Sequence, residues 1–237
     1  MIFRIIYSAW VVSSFFIALI PIILGAFIVF WLPEKPRLRA FFWITHIVIK
    51  AWSYLTGYRF STEGLEHLEN GPFVITPNHV NLLDMPVMGA RFVHPFRPLA
   101  KSDFAWYPLL NILYFFFCIG VNRKDAAHRR DSQQRMLAAL KRGISVMIFP
   151  EGTRNRTEAL LQPFYSGAFF VAVEAQVPIV PVVQVGSRPL QPAGTMLFYP
   201  GKVKIKVLEP IPTIGLVEDD IPALIARVRA VMEKELR

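Results

Sequence analysis

Residues 73–84 read Phe73-Val74-Ile75-Thr76-Pro77-Asn78-His79-Val80-Asn81-Leu82-Leu83-Asp84. The opening Phe73–Thr76 is apolar and β-branched and stops at a proline, the signature of a short buried strand. From Leu82 to Phe92 the pattern turns helical. A strand that passes straight into a helix is the first half of a βαβ unit, which places the chain in the α/β class. Residues five apart in one continuous helix stand about 140° from each other. His79 and Asp84 therefore face each other only if His79 occupies the strand-to-helix turn and Asp84 lies one turn into the helix.

Outward from this stretch the same alternation continues. Tyr58–Thr62, Phe96–Ala100, Phe116–Val121, Val146–Phe149 and Ile179–Val185 read as strands, and Asp125–Arg142, Gly167–Ala175 and Asp219–Leu236 as helices. The expectation is a mixed central sheet flanked by helices. Lys202, Lys204 and Lys206 alternate with Val203, Ile205 and Val207, giving a half-buried strand with one basic face. Those lysines either protect an exposed sheet edge or dock lipid or a carrier protein.

The amino-terminal quarter differs. Ile5–Leu32 contains 28 residues without a charge, more than the ~20 a helix needs to cross a bilayer. It exceeds the ~7–15 apolar residues of a signal peptide, and reads as a retained anchor. Pro21 and Gly25 interrupt it, and Leu38–Tyr58 follows as an aromatic-rich but partly charged second segment. Two arrangements stand open: one full span, or a two-helix clip lying in one leaflet. The domain expectation is membrane-anchoring helices over 1–57 and a catalytic unit over 58–237. Basic Lys35, Arg37 and Arg39 after the run place the rest of the chain in the cytoplasm, at the inner membrane of the cell.

Composition narrows the chemistry. Hydrophobic residues make up 54% and charged ones 18% of the chain, which excludes disorder. The excess of 26 Lys+Arg over 17 Asp+Glu favours anionic partners. The aromatics lie in the anchor and apolar strands rather than among Arg129, Arg130, Arg135, Lys141 and Arg142, so nucleic acid is not expected as a partner. Cys118 stands alone and the five histidines never fall at ligand spacing, so no metal site is expected. No nucleophile elbow, P-loop or dinucleotide fingerprint is present.

Four strand ends carry the polar candidates: His79, Lys101, Arg123 in Gly120-Val121-Asn122-Arg123, and Glu151, Gly152, Thr153 and Arg154 in Phe149-Pro150-Glu151-Gly152-Thr153-Arg154. Open α/β sheets bind ligands at the carboxyl ends of their strands. A carboxylate on one imidazole nitrogen fixes the tautomer and leaves the other nitrogen as a base, able to activate a hydroxyl without a protein nucleophile. By residues alone, that reading and a His-Asp pair that merely holds a turn stand level.

Asn78-His79…Asp84, Gly120–Arg123, Phe149–Arg154 and Val177-Pro178-Ile179-Val180-Pro181-Val182, in this order, closely resemble the membrane lysophospholipid acyltransferase family, especially its bacterial 1-acyl-sn-glycerol-3-phosphate acyltransferases. The H-x4-D pair followed about 70 residues later by F-P-E-G-T-R is a specific combination. The resemblance implies that His79 is the general base and Asp84 its orienting partner. It implies that Arg123, Glu151, Gly152, Thr153 and Arg154 bind the glycerol phosphate, with Lys101 helping to hold the phosphate. It implies acyl transfer, without a cofactor, from an acyl-CoA or acyl-carrier-protein thioester to the free hydroxyl of lysophosphatidic acid at the bilayer. Another lysophospholipid acceptor, or a non-catalytic membrane adaptor on the same fold, is the alternative. The chain departs from the family at Asn81, at Asp103-Phe104 after Lys101, and near Tyr165-Ser166, positions that flank the phosphate region.

Overall fold

A computed structural model describes residues 2–237. Two long helices lead, α1 (Ile2–Val29) and α2 (Glu34–Leu55). They run antiparallel: Tyr7 Oη donates to Thr56 O at 2.6 Å, Trp52 Nε1 donates to Ser14 Oγ at 3.0 Å, and Gly25 lies against Ile44. Pro21 sits inside α1 without ending it. The pair does not stand apart from the rest. Phe41 and Phe42 of α2 stack on Phe117 at 3.6 Å and Phe96 at 4.2 Å, so α2 shares one apolar core with the sheet.

Seven strands form that sheet: β1 (Arg59–Glu63), β2 (Val74–Pro77), β3 (Phe96–Lys101), β4 (Ile119–Val121), β5 (Ser145–Met147), β6 (Ile179–Val185) and β7 (Lys202–Val207), in the order β1-β7-β6-β2-β5-β3-β4. β6, β2, β5, β3 and β4 are mutually parallel, whereas β7 runs antiparallel to β6 and parallel to β1. The mixed sheet is thus a five-stranded parallel body with a reversed pair on one edge. The carboxyl ends of the five parallel strands share one rim. β2 and β6 are almost wholly buried and mostly apolar, broken only by Thr76 and Gln184, as strands covered on both faces are.

Five further helices complete the fold: α3 (Asp84–Gly89), α4 (Leu110–Phe117), α5 (Ala126–Lys141), α6 (Gly167–Ala175) and α7 (Ile221–Leu236). Asp125 caps α5 by accepting the N–H groups of Ala127 and His128.

Two sequence expectations change. Phe116–Val121 is not one strand: Phe116 and Phe117 end α4, and pairing with β3 begins only at Ile119. Lys202, Lys204 and Lys206 do not lie on a free edge, because β1 covers β7. Lys204 instead pairs with Glu63 at 2.5 Å and Lys206 with Glu235 at 2.7 Å.

Candidate active site

The sequence turns sharply after Pro77, and four backbone ties hold the turn. Asn78 N–H donates to Val182 O at 3.2 Å while Asn78 Oδ1 accepts the N–H of Gln184 at 2.8 Å, locking the end of β2 to β6. His79 N–H donates to Glu151 Oε1 at 2.8 Å, and Asn155 N–H donates to His79 O at 2.7 Å. The backbone of His79 is thereby clamped from both sides by the segment that follows β5.

Asp84 opens α3 and is fully buried. Its Oδ2 lies 2.7 Å from His79 Nδ1 and also accepts the N–H groups of Val80 at 2.6 Å and Asn81 at 3.1 Å. An oxygen that already takes two donors requires a third donor from the imidazole, so the ring proton resides on Nδ1 and the lone pair on Nε2. The ring stacks on Phe149 with centroids 4.1 Å apart, which fixes its plane. The His79 side chain retains 22% of its exposure, so it is reachable from the rim.

Glu151 departs from its expected part. The side chain is 1% exposed, and its second oxygen accepts the N–H of Gln162 at 2.8 Å. Both oxygens face backbone rather than the open rim. Burial pushes its carboxyl above the ordinary range, against the opposing pull of the N–H donors of Gln162 and His79. Glu151 is the post that ties the base's backbone to the β5 loop.

Gly152 has φ +72°, and a Cβ there would stand 2.6 Å from an Arg123 guanidinium nitrogen and 2.8 Å from the Tyr165 ring. Only glycine fits this corner. Arg123, arriving from the end of β4, donates to Gly152 O. Thr153 is exposed. Lys101, at the end of β3, is joined to Asp103, one of the positions where the chain departs from the family pattern. The geometry therefore gathers His79, Asp84, Glu151, Gly152 and Arg123 through direct contacts and leaves Lys101 engaged elsewhere.

Arg154 lines a cavity of about 120 Å³ together with Val80, Asn81, Arg156, Gln191 and Thr195, among others. The polar walls are committed: Asn81 bridges Ser187 O and the N–H of Leu83, and Gln191 bridges the N–H of Leu82 and Thr195 O. Arg154 and Arg156 form no ion pair among the described residues, so two guanidiniums remain to meet an anion beside the His79 turn. Guanidinium forks suit phosphate.

A family model described as Acyltransferase matches residues 59–185, more than half of the chain and all four motif blocks. The chain belongs to the acyltransferase family. Human 1-acyl-sn-glycerol-3-phosphate acyltransferase alpha is 35% identical over 191 residues, covering 78% of this chain and 66% of that protein. The human beta protein is 37% identical over 185 residues, covering 75% and 64%. The chain thus spans about two-thirds of the length of these curated relatives. The crystal structure of the 1-acyl-sn-glycerophosphate (LPA) acyltransferase from Thermotoga maritima covers 99% of this chain and 95% of its own with a TM-score of 0.79 at 24% identity, so the two share their fold.

In this acyltransferase family member the residues that sequence reasoning missed are Arg156 and the Gln191–Met196 loop. The loop stands more than a hundred positions from His79 in the chain and is unremarkable in composition; only the fold brings it to the rim. Arg156, two residues beyond Arg154, was visible as a second arginine in the same turn. The whole irregular segment after β5 is stapled in place, with Arg188 donating to Thr157 O and Ala159 O and Arg229 to Leu161 O and Gln162 O.

Proposed function

We propose that this protein transfers a fatty acyl group from an acyl-CoA or acyl-carrier-protein thioester to the free hydroxyl of lysophosphatidic acid, giving phosphatidic acid. The observation that carries the reading is Nε2 of His79, left as the free base by the Asp84 contact, on the same rim as the unpaired Arg154 and Arg156. His79 Nε2 removes the hydroxyl proton as oxygen attacks the thioester carbonyl. The C–O bond forms, the C–S bond breaks, and the proton passes from His79 to the departing sulfur. Asp84 stabilises the transient imidazolium. The N–H groups of Val80, Asn81 and His79 are already engaged by carboxylates, so the oxyanion's donors come from another part of the rim.

Arg154 and Arg156 hold the acceptor phosphate, and Arg123 supports the Gly152 corner. The protein works at a membrane, at the cytoplasmic face of the inner membrane. Among the described residues α1 is the one helix long and apolar enough to cross. Its contacts with protein at both ends, Ser8 to Phe198 N–H and Phe30 to Phe116, favour α1 and α2 lying in one leaflet over a free span. The engagement of Lys101 by Asp103 favours a second reading, in which the acceptor carries another head group.

The test is acyl transfer by the detergent-purified protein with lysophosphatidic acid beside other lysolipids, with both thioester donors and a His79→Ala control. Phosphatidic acid formation lost in the control supports the proposal. Transfer to a different acceptor moves the assignment to the second reading. No transfer from folded protein defeats both.

A further inference from the structure

Between β3 and β4 the chain runs from Phe104 to Phe117 without a charge, and Phe104, Trp106, Tyr107, Tyr114, Phe115, Phe116 and Phe117 are aromatic. The structure does not bury them together. Trp106 is 87% exposed, Phe115 68% and Tyr107 56%, and Phe104 and Leu109 are exposed as well. Leu109 takes φ +67°, a conformation that L-residues avoid, at the corner between Trp106 and α4. Solvent gives no reason to hold a strained apolar corner open to water.

We infer that Phe104–Phe115 is a second membrane-inserting element, which seats the catalytic rim against the lipid leaflet independently of α1. Three features commit the surface to a bilayer rather than to a protein. It continues the apolar outer face of α1, because Phe116 of α4 packs on Phe27 at 5.8 Å and Phe30 at 5.1 Å, while Ile17, Leu24, Ile28 and Trp31 of that helix and its end are themselves exposed. Its most exposed member is Trp106, with Tyr107 exposed beside it, and Trp and Tyr side chains settle at the membrane–water boundary. It begins where β3 ends, on the rim that carries His79. Seated there, the segment lets an acceptor pass sideways from the leaflet to the base without entering water. Helix α4, at eight residues, is far too short to span and acts as a shallow wedge. The inference rests on the proposal that α1 lies in lipid, and the experiment separates the two.

Nitroxide labels are placed one at a time, in a Cys118→Ala background of the full chain, by Trp106→Cys, Phe115→Cys, Ile17→Cys on the outer face of α1, and Glu218→Cys at the opposite end of the sheet. Each protein is reconstituted in phosphatidylcholine–phosphatidylglycerol vesicles, and the accessibility of the label to oxygen and to a water-soluble nickel chelate is read by electron paramagnetic resonance. The expected result is high oxygen and low nickel accessibility at 106, 115 and 17, with the reverse at 218. Nickel accessibility at 106 and 115 with position 17 protected overturns the wedge and leaves the anchor standing; nickel accessibility at 17 defeats the anchor reading itself. Labels at 106 and 115 shielded from both reagents, with spin–spin broadening, assign the patch to a second copy of the chain and also overturn the proposal. Quenching of unlabelled protein by brominated phospholipid, compared with Trp106→Phe, provides the same decision without cysteine substitution: the variant must lose a quenched share of the emission.

Discussion

Replacing Asp84 by asparagine separates what the carboxylate's shape does from what its charge does. The side-chain amide has two placements. With its oxygen where Oδ2 now lies, it still accepts the N–H groups of Val80 and Asn81 and the Nδ1–H of His79. Flipped, it points an NH₂ at two buried backbone donors, and leaving those unsatisfied costs about 1–3 kcal/mol each. The backbone therefore pins the oxygen, and the imidazole keeps its tautomer. What is lost is the charge opposite the imidazolium. A hydrogen bond to a charged group is worth about 1–2 kcal/mol more than a neutral one, so turnover falls by roughly 5- to 30-fold. A serine-protease-like dyad in which asparagine imposes the wrong tautomer loses about 10⁴-fold. Steady-state kcat with lysophosphatidic acid and thioester, alongside ¹⁵N chemical shifts of the histidine ring, decides the matter. A loss near 10⁴, or a proton moved to Nε2, refutes the claim that the backbone donors fix the amide. Unchanged kcat refutes the role of the Asp84 charge in stabilising the imidazolium.

Glu151→Gln leaves either His79 N–H or Gln162 N–H facing an NH₂, and stability falls by about 1–3 kcal/mol in thermal or denaturant unfolding. Its kcat drops more than the acceptor KM rises, the opposite of a substrate ligand. Arg156→Ala raises the acceptor KM roughly tenfold or more and leaves the donor KM in place; an effect confined to the donor reassigns the cavity. Gly152→Ala is destabilised, because the new Cβ meets Arg123 and Tyr165 at positive φ, and Gly194→Ala, at φ +76° in open space, is milder by the same melt. Burial, with Arg39 and Lys35 nearby, holds His94 down at about 4, against an ordinary 6.5. The unfolded chain then takes up the proton first, so stability falls as pH drops from about 6.5 to about 4, by at most about 3 kcal/mol, and His94→Gln flattens the curve.

The meeting of His79 and Asp84 was legible as a condition, because an apolar strand, a proline and a helical pattern name a turn at His79 and a helix that holds Asp84. Strand β6 and helix α6 fall on the residues that the pattern names, since a long apolar run between turn signals is unambiguous. Helix α4 was not legible: Tyr114-Phe115-Phe116-Phe117 has the aromatic composition of a strand, and a short apolar run lacks a period that tells the two apart. The structure ends it as a helix because its last turn fits between α1 and α2, with Phe116 against Phe27 and Phe117 on Phe41. The inward turn of Glu151 was hidden for another reason. A motif names a residue but not its direction, and only the N–H groups of His79 and Gln162 show where both oxygens go. The cavity beside Arg154 depends on a loop whose place is set by β6 and β7, beyond the reach of local pattern.

The pairing of β1 with β7 also sets a timetable. Arg59 of β1 is matched to Lys202 of β7, 143 positions later. At about 5–20 residues per second a ribosome takes roughly 7–30 s to make that stretch. Throughout that interval the helical hairpin and β1 are synthesised and waiting, while the strand that completes the edge does not yet exist. The apolar hairpin thus meets the bilayer before the sheet can close, and membrane delivery precedes maturation of the rim. A nascent chain halted before residue 202 is expected to be bound to lipid with its first strand still unpaired, the stage most open to chaperones and proteases.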